Sequence, residues 1–469
     1  MNGDYPILLA KFLFFCRFMK SRAIVLTVML LFFTPIGVVT HRVGAGADFS
    51  TLSSVRLTNQ ISAGNSAFFP VEREIEAFMR RWHINGASVA IAREGRLVYA
   101  RGFGYADTTR KVVVEPYHRF RVASVSKLIT AVAVMKLVEE GLINLDDRVF
   151  GPGGIITDSY FDNPRDRRVY DISVGHLLAH RGGWSLRYGD HMFITPVISR
   201  RGPFNMPLEA KHYVRYALDR NLHFTPGSGS SYSNLGYVIL GMVIEAVTGM
   251  TYDEYCRNEI FLPLGIYDSS LGFNLKEGRQ PYEVVYYEQA DAIPKLSIYG
   301  TGEMVPARYG GNDIESLGSA GGWIATAPDM LRFLLSVDGH GYKSQLLSDE
   351  TIRMMTDRND RYGILGWGFV SSNGNWWRTG SFPGTLAMMK RTPGDLSWVV
   401  LLNTNAWNGP ELSTVINSTM TRALYRVRGW PENDLFSHSL PVPIPSDEPV
   451  PGYDGHQIMS GEGEPELLP

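Results

Sequence analysis

The chain has 469 residues, 44% of them hydrophobic and 20% charged, with a formal net charge of −2. That balance is globular, with apolar material for a large core, and it excludes a fibrous or wholly disordered chain. Near-neutral charge also excludes a basic face for nucleic acid and a polybasic run for an anionic membrane.

The first element in chain order is an apolar run from Ala23 to Val39, preceded by Lys20 and Arg22 and followed by Ala45-Gly46-Ala47 ahead of Asp48. Charged, apolar and small residues in that order read as a secretory signal peptide over residues 1–47, which would make the protein secreted or periplasmic. An uncleaved membrane anchor is the alternative, although a run broken by Thr34 and Pro35 is short of the about 20 residues a span takes. Met19-Lys20-Ser21-Arg22 would itself make an ordinary signal start, so translation is expected to begin at Met19. Cys16 falls in this leader, which leaves Cys256 alone in the mature chain and no internal disulfide. Residues 48–67 read as a linker, and residues 68–427 as the folded domain.

Val71, Ile75, Phe78, Met79 and Trp82 recur at helical spacing and predict a packing helix over Pro70 to Ile84. Ala87 to Ala92 and Leu97 to Tyr105 are β-rich runs joined by Arg93-Glu94-Gly95-Arg96, a hairpin signature. Then comes Ser124-Val125-Ser126-Lys127, followed by the apolar run Leu128 to Val138 and a stop at Gly141. At a spacing of i and i+3 the Ser124 hydroxyl and the Lys127 amine share one helix face. A helix apolar all round is buried, so its lysine needs a partner or a task, and desolvation would turn it towards a base. Ser124 would sit at the helix N-terminus, where free backbone N–H groups favour a developing oxyanion.

Between Gly141 and Pro226 the chain turns helical and loop-rich. His176 and His180 are four apart, the spacing of a helical zinc pair, but no glutamate follows His176 and no third ligand stands at a telling distance. They read as hydrogen-bonded histidines at a helix end, with no metal site. A turn-rich loop then ends on Tyr232-Ser233-Asn234 before the apolar helix Leu235 to Val247. Residues i and i+2 of an extended segment face the same way, so phenol and amide can enter one cleft. Gly265 to Gly322 is a long tyrosine-bearing excursion of the kind that walls a cleft. A helix over Pro328 to Val337 precedes three β-rich runs, Trp367 to Val370, Leu386 to Arg391 and Trp398 to Leu402. Arg378-Thr379-Gly380-Ser381 lies between the first two. No Gly-x-Ser-x-Gly elbow, P-loop or dinucleotide fingerprint occurs, so no cofactor is expected. Asn417-Ser418-Thr419 is a glycosylation sequon, and the Pro-rich, acidic stretch 428–469 reads as a disordered tail.

Ser124-x-x-Lys127, Tyr232-Ser233-Asn234 and Arg378-Thr379-Gly380, in that order, resemble the serine hydrolases of the β-lactamase and penicillin-binding superfamily. The branch is that of class C β-lactamases, D-alanyl-D-alanine carboxypeptidases and related esterases, and the likeness runs from about Ile75 to Tyr425. It implies an α/β (α+β) architecture of β-lactamase/transpeptidase type. N- and C-terminal strands would form one antiparallel sheet flanked by helices, with a mostly helical region inserted and the active site between the two parts. By the same resemblance Ser124 is the nucleophile, Lys127 its deprotonating neighbour and Tyr232 the phenol that carries a proton to the leaving group. Asn234 would hold the substrate amide or Lys127, and the N–H groups of Ser124 and Ser381 would form the oxyanion hole. Arg378, Thr379 and Gly380 would bind substrate.

The sequence departs from the family's usual pattern at two places. Arg378 stands where Lys or His is common, and His180-Arg181-Gly182-Gly183 replaces His-Thr-Ser-Gly. Arg378 keeps the charge but cannot exchange its proton, so it suits a substrate carboxylate better than a relay. The expected function is therefore acyl-enzyme hydrolysis of an ester, a D-amino-acid peptide or a lactam. The partner would be a small-molecule or peptide substrate, with a membrane involved only if the leader stays uncleaved. The alternative from another class is a catalytically idle relative with a structural or assembly role.

Overall fold

The computed structural model describes residues 52–54, 56–62, 65–341, 345–405, 409–438 and 441–443. The expected leader and residues 444–469 of the expected tail lie outside them.

A two-residue turn starts the main sheet. Glu94 and Gly95 both have positive φ, 52° and 76°, as a type I′ turn requires, and its twist matches the strands it joins. Those strands are β1 (Gly86–Arg93) and β2 (Arg96–Asp107), followed by the short β3 (Val112–Val113). Three two- or three-residue strands from the middle of the chain form a small sheet of their own: β4 (Phe120–Arg121), β5 (Ser270–Leu271) and β6 (Trp323–Ala325). The C-terminal part supplies β7 (Phe369–Val370), β8 (Trp376–Phe382), β9 (Thr385–Arg391) and β10 (Leu396–Leu402). The main sheet runs β7-β8-β9-β10-β1-β2-β3 and is antiparallel throughout. β10 pairs with β1, Leu396 opposite Arg93 and Leu402 opposite Ala87, so the two ends of the chain close one sheet. This is the β-lactamase/transpeptidase-like arrangement the motifs implied.

The helices that matter for the site are α1 (Phe69–Trp82), α2 (Ser126–Glu139), α3 (Asn234–Thr248), α4 (Ile314–Gly321), α5 (Ala327–Leu335) and α6 (Gly409–Tyr425). Alternation along the strands divides the apolar residues between two cores, because successive side chains leave opposite faces. Val89, Ile91, Trp398 and Val400 pack against α1 and α6 through Ile75, Phe78, Ile416 and Met420. Ala90, Ala92, Val399 and Leu401 belong to the larger core with α2, α5 and the inserted helical region. Each fully buried Val, Leu or Ile contributes roughly 1.5–3 kcal/mol, so both layers are firmly held to the sheet.

α2 runs through the larger core and is buried on all sides from Ser126 to Met135, as its unbroken apolar run predicts. The small sheet β4-β6-β5 fixes the segment just before it. Val122 N–H donates to Trp323 O at 2.9 Å, and Trp323 N–H donates to Ser126 Oγ at 3.2 Å. Arg121, 2% exposed, donates to the carbonyls of Arg308 (2.7 Å) and Phe273 (2.9 Å). The Gly265–Gly322 excursion is thereby tied to the entrance of α2.

Three expectations are corrected. Arg378-Thr379-Gly380-Ser381 does not lie between strands but inside β8; three polar residues and a glycine hide the β pattern, which here is set by pairing with β9. Residues 428–438 of the expected disordered tail are docked. Leu435 is buried, Asp434 accepts a hydrogen bond from Leu97 N–H at 3.1 Å, and the Arg332 guanidinium lies 4.3 Å from the Phe436 ring centre. Composition averaged over a proline-rich stretch misses such anchors. The expected linker is also partly docked: Leu57 is buried, and Asn59 donates to Val114 O at 2.8 Å. The sequon lies within α6, where Asn417 Oδ1 accepts from Lys390 Nζ at 2.8 Å and Thr419 is buried.

Candidate active site

Ser124 lies in a 3₁₀ turn, Ala123–Val125, that feeds directly into α2. Ala123 has φ +48°, a left-handed conformation that costs a residue with a Cβ roughly 1–2 kcal/mol. The hydrogen bonds of Val122 to Trp323 and of Val125 N–H to Val122 O (3.1 Å) hold it there. On the other side stands Gly380 of β8. A Cβ at this glycine would come 2.2 Å from Val122 O and 2.7 Å from Ser124 N, so only glycine lets the sheet approach the serine so closely.

Tyr232 O–H donates to Ser124 Oγ at 2.6 Å, and Lys127 Nζ donates to the same oxygen at 3.3 Å. The ammonium's remaining donors go to Asn234 Oδ1 and Ala320 O. Lys127 is fully buried, and an ammonium there would cost several kcal/mol without such partners. Burial pushes its pKa below the ordinary lysine value; Tyr232 opposes the shift and the Arg378 guanidinium assists it. Burial alone would raise the Tyr232 phenol, but the charges of Lys127 and Arg378 outweigh it and hold it below the ordinary tyrosine value. An amine and a phenol, both held below their ordinary pKa, thus stand on either side of one hydroxyl.

Tyr232 and Asn234 reach the site for a reason other than a shared strand face. Ser233 is extended and caps α3, its Oγ accepting from Gly236 N–H at 3.0 Å, so Asn234 already stands in the first turn of the helix. Its amide nitrogen donates to Asp190 Oδ2 at 2.6 Å. Burial raises the Asp190 carboxyl, against the lowering effect of its bonds with Met192 N–H and Asn234. Asp190, Asn234 and Lys127 therefore form one chain of hydrogen bonds. Sequence reasoning missed Asp190. It caps a short turn, His191–Phe193, as turn aspartates commonly do, and nothing local distinguishes it.

Arg378 is 3% exposed, and its Nε donates to Ser124 O at 2.8 Å, while its buried Nη2 has no hydrogen-bond partner among the described residues. Ser381 stands opposite Leu386, one step from the Phe382–Thr385 pair that closes the turn at Pro383-Gly384. In antiparallel alternation that step leaves its N–H outside the ladder. β7 pairs only with Trp376 and Trp377, so among the described residues no strand lies along the outer edge of β8 beside Ser124. Thr379 is half-buried on the same strand, and Ser381 Oγ accepts from Asn405 Nδ2 at 2.9 Å.

The two histidines do separate things. His176 Nδ1 accepts from Ser173 N–H at 3.2 Å in a helix cap. His180 is half-buried beside the site, its ring 4.6 Å from that of Tyr232, and its Nδ1 accepts from Ser233 N–H at 3.2 Å. Burial, with the Arg378 and Lys127 charges, holds its pKa well below the ordinary histidine value, so it packs as a neutral ring that positions Tyr232.

Comparison with known proteins places these elements among relatives. The family model described as Beta-lactamase matches residues 71–418. Protein flp of Staphylococcus aureus (strain N315) is 27% identical over 227 residues, covering 48% of this chain and 42% of that protein. Penicillin-binding protein 4 of Amycolatopsis lactamdurans is 30% identical over 270 residues, covering 56% of this chain and 61% of its own length. The chain thus spans about half the length of the curated relatives it matches. Among solved structures, the octameric penicillin-binding protein homologue from Pyrococcus abyssi superposes with a TM-score of 0.56 at 25% identity, covering 75% of this chain and 76% of that one. The D-amino acid amidase of Ochrobactrum anthropi SV3 shares the fold with a TM-score of 0.61 at 22% identity, over 77% of this chain and 99% of that one.

Proposed function

We propose that this chain, which belongs to the beta-lactamase family, is a serine acyl-hydrolase that works through an acyl-enzyme on Ser124. The observation that carries the reading is the double contact on Ser124 Oγ, from Tyr232 at 2.6 Å and the buried Lys127 at 3.3 Å. In the first half-reaction Lys127, as a neutral amine, takes the hydroxyl proton while Oγ adds to the substrate carbonyl. The resulting oxyanion faces the N–H groups of Ser124 and Ser381, each such donor being worth about 3 kcal/mol in the transition state. Tyr232 then gives its proton to the leaving oxygen or nitrogen, the acyl–heteroatom bond breaks, and Lys127 reprotonates the phenol. Water repeats the sequence on the acyl-enzyme. Asn234, tethered by Asp190, keeps Lys127 aimed at the serine.

The substrate is an ester, a D-amino-acid amide or peptide, or a lactam, in line with the amidase and penicillin-binding names of its relatives. The apolar leader Ala23 to Val39 supports export from the cytoplasm. Incubation with a fluorophosphonate and, separately, with a penicillin, followed by intact mass and peptide mapping, tests the reading. One adduct on Ser124 is expected from the fluorophosphonate; a label on Ser126 or Ser381 in its place overturns the assignment.

The partnerless Nη2 of Arg378 supports a carboxylate on the leaving-group side of the substrate. Its Nε is spent on Ser124 O, so removing the side chain injures every substrate to some extent, and the informative quantity is a ratio. For aryl esters of one acid, Arg378→Ala is expected to lower the preference for a 3-carboxyphenyl over a phenyl leaving group by about tenfold or more. Arg378→Lys, which keeps the charge and loses the fork, should fall between. Equal losses on both esters would remove the carboxylate role.

A further inference from the structure

β8 gives the cleft a direction. Ser124 lies over Gly380, Arg378 stands two residues to one side, and Phe382 stands two residues to the other, about 7 Å further along the strand. All three face the same way, because side chains alternate, and all three are buried. If the leaving group departs towards Tyr232 and Arg378, the acyl part of the substrate extends towards Phe382.

At that end the sheet meets the helical part of the fold through an aromatic contact. The rings of Phe382 and Phe193 are 5.8 Å apart, inclined at 47°. Phe193 belongs to the short turn capped by Asp190, whose Oδ2 is bonded to Asn234. Two routes from the serine, one along β8 and one through Lys127, Asn234 and Asp190, therefore converge on the same ring. Above it, Lys295 Nζ lies 5.7 Å from the Phe193 ring centre.

Lys295 is half-buried and its ammonium donates to Asn312 Oδ1 at 2.7 Å, a neutral acceptor. Asn312 is 3% exposed and is held in orientation by donating its own amide to Ala307 O at 2.6 Å. Among the described residues no carboxylate forms an ion pair with Lys295; the acidic neighbour on this segment, Glu288, is engaged by Arg308 at 2.6 Å. A partly desolvated cation beside an aromatic ring, hydrogen-bonded to an amide and reached by the Arg308-paired Glu288 only at longer range, is a poor structural element and a ready counter-ion for a ligand.

We propose that Lys295, with the Phe193–Phe382 pair as floor, forms an acyl-side subsite that selects substrates whose acyl chain carries an anionic group, a carboxylate, at its far end. The subsite rests on the acyl-hydrolase reading above and adds the chemistry of the acyl half. The rings bury the methylene chain, and the ammonium exchanges part of its water for the carboxylate. Lys295 touches no reacting atom, so it acts on binding and positioning.

The test compares the 4-nitrophenyl ester of hexanoic acid with the mono-4-nitrophenyl ester of adipic acid, which differ only in the distal carboxylate, with the wild-type protein and two variants. The wild type is expected to prefer the adipate ester in kcat/KM, and Lys295→Met to lower the adipate-to-hexanoate ratio about tenfold. Lys295→Arg should retain most of the preference, and added salt should weaken it in the wild type. A wild-type protein that hydrolyses both esters equally, or a ratio unmoved by Lys295→Met, overturns the subsite while leaving the acyl-hydrolase reading standing. Failure of both esters together with failure of the fluorophosphonate to label Ser124 overturns the two together.

Discussion

Ser124→Ala and Lys127→Ala are each expected to lower kcat by about 10⁴-fold or more, with the double variant no worse than either alone. The non-additivity is the informative part. Oγ is a weak nucleophile without a base, and the Lys127 amine has nothing to deprotonate once the hydroxyl is gone, so the second substitution removes what the first has already disabled. Ser124→Ala deletes one half-exposed oxygen and should leave the melting temperature nearly unchanged. Lys127→Ala leaves Asn234 Oδ1 and Ala320 O without their donor, at roughly 1–3 kcal/mol each. That loss is offset because a buried ammonium no longer has to be desolvated. Turnover should therefore fall far more than stability, and steady-state rates alongside thermal unfolding check both. Additive losses in the double variant would mean that Lys127 acts elsewhere than on Ser124.

Tyr232→Phe is expected to cost about 10²–10⁴-fold on substrates with poor leaving groups and distinctly less on 4-nitrophenyl esters. The phenol's task in the proposed mechanism is to protonate the departing atom. An amide nitrogen needs that proton before its bond can break, whereas 4-nitrophenolate leaves without it. Comparison of a 4-nitroanilide with the 4-nitrophenyl ester of the same acid measures the difference; equal losses would instead make Tyr232 the base that activates Ser124. The pH profile carries a related sign. Lys127 acts as the neutral amine, so rates should rise with pH through its depressed pKa. Arg378 contributes to that depression, so Arg378→Ala should move the rising limb to higher pH.

The parts of this architecture legible from residues alone were those with strong local periodicity or turn chemistry. Glu94-Gly95 between two β-rich runs announced the hairpin, and the unbroken apolar run after Lys127 announced a buried helix. The order of the Ser124, Tyr232 and Arg378 motifs carried the fold class through the resemblance, although the strand that holds Arg378 and the helix turn that holds Asn234 could not be read from their local sequence. Asp190 was invisible, since its value lies in a contact with Asn234, 44 residues away in the chain, and its local environment is that of any turn aspartate. Lys295 was equally silent in a long segment without clear pattern. The docked residues Leu57 and Leu435 were lost in stretches whose average composition is polar or proline-rich.

The sequence by itself therefore determined which groups are present and, for Ser124 and Lys127, which local element presents them. Backbone propensity, capping and side-chain period act over a few residues and are written there. Only the tertiary structure decided that Tyr232 and Lys127 share one hydroxyl, that Arg378 spends its Nε on Ser124 O, and that Phe193 and Lys295 meet beside Phe382 of β8. Those relations depend on β10 closing against β1 and on the 3₁₀ turn at Ala123 being pinned between β6 and Gly380. They are long-range contacts, set by how two cores pack on opposite faces of one sheet, and no short window of residues encodes them.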